Sequence, residues 1–125
     1  MELIPILRNL VPLAILFVVC DLPWLYFTSS TAQTMIKKIQ GGTPMTLRFE
    51  GAIPVYLALA FLVQRARSTL EAFLIGLCTY AVYDFTNYST LTNYDLTFAI
   101  ADSLWGGVLF SIVREVATSQ YVRLI

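Results

Sequence analysis

Three aspartates interrupt runs of Leu, Val, Ile and Phe where an apolar chain has little use for them. Each is followed three residues on by a side chain with an N–H to give: Asp21 by Trp24, Asp84 by Asn87 and Asp102 by Trp105. A spacing of three puts both members of a pair on one helical face. Each carboxylate therefore travels with a donor, for itself or for a neighbouring helix, as a dehydrated polar group requires. Such residues offer hard oxygen ligands and exchangeable protons. Carboxylates gathered out of water resist ionising together, so one of them can take up and release a proton. Tyr80, Tyr83 and Thr86 surround Asp84 in the string YAVYDFTNYSTL and add walls and hydroxyl donors. The candidate set for binding a proton or ligand is thus Asp21, Trp24, Tyr80, Tyr83, Asp84, Thr86, Asn87, Asp102 and Trp105.

Other chemistries lack their residues. The chain has no histidine, and Cys20 and Cys78 lie in separate apolar runs without paired spacing, so neither a soft-metal site nor a disulfide framework is supported and no cofactor is expected. Pro23 and Pro54 would free the carbonyls of Val19 and Glu50 as further hard ligands, although a simple kink is the plainer reading. The metal, if any, stays open. A nucleophile elbow and a phosphate loop are both missing, and two aspartates sharing a proton are the only hint of hydrolytic chemistry; the expectation is a protein that is not an enzyme.

The elements that carry these residues belong to a membrane. Of the 125 residues, 58% are apolar and only 13% charged, with a mean hydropathy of +0.72, well above the apolar share of about 45 to 50% in soluble domains. Eight basic and eight acidic residues cancel, and no basic patch invites a nucleic acid. Hydropathy predicts one all-α domain over 1–125, an integral membrane bundle of four transmembrane helices at about 10–28, 45–63, 70–88 and 96–116. A retained first helix fits better than a cleaved leader, because the run contains Asp21, Pro23 and Trp24. The connection TSSTAQTMIKKIQGGTP reads as long and loose, with Lys37 and Lys38 on a short interfacial segment; QRARST and TNYD read as tight turns. Arg8, Arg65, Arg67, Arg114 and Arg123 face Lys37, Lys38 and Arg48 across the membrane, which favours a multi-pass protein with both termini in the cytoplasm.

Depth does not depend on that orientation. At about 1.5 Å per residue, Asp21, Asp84 and Asp102 all fall roughly 6 to 11 Å below one membrane face, with Glu50 near the same level. Ala99, Ser103, Gly107 and Ser111 form a seam of small residues that lets another helix approach, and Asp102 and Gly106 border it. Gly76, Tyr80, Asp84 and Asn87 share a face of the third span, so Asp84 and Asp102 can meet.

CDLPWLYF, TYAVYDFTNYSTL and ADSLWGG, in that order and spacing, resemble a family of small four-span membrane proteins of unknown function with members in bacteria and large DNA viruses. The resemblance covers nearly the whole chain and is least clear in the second span. It implies a four-helix membrane fold and draws attention to Asp21, Trp24, Asp84, Thr86, Asn87, Asp102 and Trp105, but implies no activity.

Two functions compete. One is a buried acidic site that binds or transports a proton, a cation or a small polar solute, working as a homodimer because four short helices leave little room for a pathway. The other is a structural or assembly subunit of a membrane complex, with the polar residues as glue; interhelical polar bonds average about 0.6 kcal/mol, less than the roughly 2.5 to 3.5 kcal/mol that a mid-span acid costs. Among single residues, Tyr26 and Tyr94 read as an interfacial aromatic belt, Glu50 as a solvated helix-start acid and Asp95 as the N-cap of the fourth span.

Overall fold

The computed structural model describes residues 3–125. They form five helices and, among the described residues, no strand: α1 (Leu3–Arg8), α2 (Leu10–Ile39), α3 (Ala52–Val63), α4 (Thr69–Thr90) and α5 (Leu96–Ala117), with a single 3-10 turn at Phe49–Gly51 before α3. α2 and α5 are long and apolar enough to cross a membrane; the stretch Phe49–Val63 is apolar but shorter. α4 matches α5 in length at 22 residues and is more polar, with Glu71, Asp84 and Asn87 along it.

The helix holding the expected first span does not stop at residue 28. It runs on to Ile39, so most of the connection expected to be loose is helical, and Lys37 and Lys38 lie in its last turn. A hydropathy window measures fitness for lipid, and residues 29–39 are polar yet contain good helix formers such as Ala, Gln, Met and Lys. Gly41 and Gly42 end the helix with φ of 65° and 100°, and the Gly42 N–H bonds back to the Lys37 carbonyl at 2.8 Å, a glycine stop for the orphan carbonyls of the last turn. The second span differs the other way: 43–48 is irregular and regular α-helix begins only at Ala52. Pro54 then falls in the first turn of α3, where a missing N–H costs nothing, so it frees no carbonyl. Pro23 lies inside α2, which continues through it.

Caps are written locally. Asp95 accepts the Thr97 N–H at 2.8 Å and starts α5; Ser68 accepts the Glu71 N–H at 3.1 Å and starts α4. The most extensive interface joins α4 to α5. A Cβ on Gly76 would stand 2.2 Å from the Gly106 carbonyl oxygen, and one on Gly106 2.4 Å from the Tyr80 ring; the backbones touch because both residues are glycine. Of the expected small seam, Ala99, Ser103 and Gly107 are buried, and Gly107 receives the Phe73 ring.

Two apolar clusters fill the interior. The larger joins Leu13 and Phe17 of α2, Leu59, Ala60 and Val63 of α3, Ala72 of α4, and Leu109, Phe110 and Val113 of α5. Phe17 and Phe110 meet edge to face with centroids 5.0 Å apart. The smaller cluster, Met35, Tyr94 and Ala99, closes the far end, with Ile36, Ile39 and Phe98 against it. Asp21, Asp84 and Asp102 lie between these clusters along the chain directions of α2, α4 and α5.

Candidate functional site

α2 and α5 cross in opposite directions, so residues one turn apart on one helix meet residues one turn apart on the other in reverse order. Their Asp-x-x-Trp pairs interlock. The Trp24 indole Nε1–H donates to Asp102 Oδ1 at 2.8 Å, and the Trp105 Nε1–H donates to Asp21 Oδ1 at 2.7 Å. The two indoles stack between the acids, centroids 5.3 Å apart and planes within 7°. Each donor serves the partner helix and leaves its own acid to the other.

The two acids are not equally served. Asp21 takes a second hydrogen bond, from the Tyr56 hydroxyl of α3 to Oδ2 at 2.6 Å. Asp102 takes the Trp24 indole alone among hydrogen-bond donors of the described residues, and has the Asp84 carboxyl of α4 within hydrogen-bonding reach instead. Asp84 is fully buried. Its Oδ1 accepts the Tyr94 hydroxyl at 2.7 Å, and its Oδ2 is buried without a partner. All these donors are neutral: two indoles and two phenols.

Tyr94 corrects the expectation of an interfacial belt. It sits in the short turn between α4 and α5, where Asn93 takes the left-handed φ of 72° that asparagine tolerates, and this turn rolls the phenol inward to 6% exposure. Burial first, and then the bond to Asp84, holds its hydroxyl protonated far above the ordinary tyrosine range. Tyr26 is 81% exposed.

Of the nine candidate residues, Asp21, Trp24, Asp84, Asp102 and Trp105 come together in this layer. Tyr80 is half-buried beside it, close enough to interact with Asp21, Asp84, Asp102 and Tyr56. Asn87 does not serve Asp84, the role its spacing suggests; it neighbours the Tyr83 and Tyr94 hydroxyls. Tyr83 is largely exposed, and Thr86 is exposed and joins no part of the network. Glu50 is exposed on the turn before α3, away from the buried acids. Tyr56 and Tyr94 were missed as donors. Nothing in their local spelling distinguishes them from other tyrosines, although a count of acids against donors shows that indoles alone leave carboxylate oxygens over. Among the described residues, no three His, Cys, Asp or Glu side chains are gathered closely enough to hold a metal ion together.

A cavity of about 310 Å³ at the far end is lined by Ser30, Thr31, Thr34, Met35, Lys38, Asn93 and Asp95, the last two flanking Tyr94. At the other end, Gln64 donates to the Ile6 and Ala60 carbonyls at 3.1 Å each, and Arg114 to the Ala66 carbonyl at 2.8 Å, tying helix ends together.

Helices with apolar outward faces around a buried layer of acids suit a membrane protein, in which interior polar groups must satisfy one another. The chain belongs to a family described as "Predicted membrane protein (DUF2177)", whose match spans residues 6–119. Comparison with curated proteins and with solved structures finds no match.

Proposed function

We propose that this is a four-span membrane protein whose acidic layer binds a proton, a cation or a small polar solute and carries it across the bilayer. The observation behind this reading is Asp84: a fully buried carboxyl with one oxygen unpartnered, set against a second carboxyl. A residue kept only for cohesion would have its acceptors filled, since an unmade buried hydrogen bond costs about 1 to 3 kcal/mol, more for a charge. α4 is long enough to cross at about 33 Å, and α3 with its preceding turn spans about 22 Å, sufficient with the irregular 43–48 segment to return the chain. Both termini then share one side with Arg65 and Arg67, and the excess of basic residues on that side supports a cytoplasmic orientation for it. Pairing of two chains supplies the room that four short helices lack. No enzymatic step is proposed.

The test is reconstitution into sealed vesicles with a pH-sensitive dye inside. An imposed proton or sodium gradient should produce dye response above that of empty vesicles, and Asp84→Asn and Asp102→Asn should abolish it while the protein stays folded. Wild-type vesicles indistinguishable from empty ones under both gradients would sink the transport reading.

The structural alternative draws on the interlocked Asp–Trp pairs, which pin α2 to α5 by two hydrogen bonds and a ring stack. On that reading Trp24→Phe and Asp84→Asn weaken assembly with a partner and nothing else changes.

A further inference from the structure

The interlocked layer has a formal gap, and its position identifies what fills it. Asp21 and Asp102 are related by the crossing of α2 and α5: each accepts one indole from the opposite helix. Asp21 also accepts a hydroxyl, from Tyr56. In the corresponding place beside Asp102 stands Asp84, a carboxyl where the other half has a phenol. A carboxylate has no hydrogen to give. Asp84 Oδ1 is already an acceptor, for Tyr94, which leaves the unpartnered Oδ2 as the atom that can play the part of the phenol O–H.

Resting on the reading of the layer as a binding site, we propose that its ligand is a single proton, carried on Asp84 Oδ2 and donated to Asp102. Protonation turns this orphaned buried oxygen into a donor, removes the contact of two negative charges, and completes for Asp102 the two-donor arrangement that Asp21 already has. A divalent cation fits poorly, since it asks for six or more oxygens, while the surroundings are indole and phenol groups that donate. The groups that face Asp84 are Tyr80 and Tyr83 on α4, Tyr94 in the turn, Asp102 on α5, and, one step removed, Asp21 on α2 and Tyr56 on α3. Apart from the two other aspartates, none bears a charge at neutral pH.

Infrared spectroscopy of the protein in lipid vesicles at neutral pH reads this directly. The wild type should show a protonated-carboxyl C=O band that Asp84→Asn removes. Asp102→Asn should shift the band and not remove it, because the Asp84 hydroxyl then faces an amide in place of a carboxylate. Asp84→Asn, whose Nδ2–H stands where the O–H stood, should unfold at or above the wild-type midpoint, and Asp84→Ala below it. If the variants fail to fold, the wild-type band still decides, measured with and without sodium and calcium chloride: a band that is missing, or that either salt abolishes, overturns the proposal. A persistent band in a protein that moves nothing across vesicles would retain the proton and discard transport; transport without the band would do the reverse.

Discussion

Asp21 accepts an indole and a phenol, and Asp102 accepts an indole and, on the proposal above, the Asp84 hydroxyl, so the cost of removing one donor of Asp102 depends on Asp84. Trp24→Phe leaves Asp102 with the Asp84 hydroxyl alone, and Tyr56→Phe and Trp105→Phe each leave Asp21 with one bond. A buried acceptor losing its partner costs about 1 to 3 kcal/mol, more if charged. Trp24→Phe should therefore destabilise more in an Asp84→Ala background, where Asp102 keeps no donor, than in the wild type, measured by reversible unfolding in detergent, and the double change Trp24→Phe with Trp105→Phe should depart from additivity because the two rings stack. Equal, additive effects would show that the acids are not bound as described. At this scale the sequence was half legible. The three acids and the two indoles announced themselves by spacing; the exchange of donors between α2 and α5, and the inward turn of Tyr94, did not, because i to i+3 spacing reports a shared face and says nothing about which helix answers it.

At the scale of the helix, the contact of α4 with α5 holds Asp84 against Asp102. Its closeness rests on Gly76 and Gly106, where any side chain would collide with the opposite backbone or with Tyr80. Gly76→Ala and Gly106→Ala should each cost about 1 to 3 kcal/mol by overpacking, with the same unfolding measurement, and should also disturb the Asp84 infrared band by parting the two carboxyls. Gly51→Ala is the contrast: a Cβ there meets nothing within 4 Å, and stability should stay within about 0.5 kcal/mol. An insensitive Gly76 would mean that the helices lie further apart. The small residues were visible as a seam in α5, and the Asp95 cap as local hydrogen-bond chemistry; the Ser68 cap was not read. The full length of α2 was not, since residues 29–39 are helical but not lipid-like.

For the whole molecule, α2 at about 45 Å exceeds the roughly 30 Å of a hydrocarbon core. Its last turns should then stand in water on the side opposite Arg65 and Arg67. In a background with Cys20 and Cys78 replaced, Lys38→Cys and Arg67→Cys should react with a membrane-impermeant maleimide from opposite faces of sealed cells or vesicles. Labelling of both from one face would contradict four spans.

Composition and periodicity by themselves determined that this chain is helical and made for a membrane, that three acids lie at one level, and that each shares a helical face with a donor three residues on. These are properties of single helices, fixed by hydropathy and by the turn of the α-helix. Tertiary structure alone decided which oxygen goes without a partner. That depends on the rotation and axial offset of one helix against another, set by the Gly76–Gly106 contact and the α2–α5 crossing, and offsets of one turn, too small to change any sequence pattern, change every hydrogen bond in the layer.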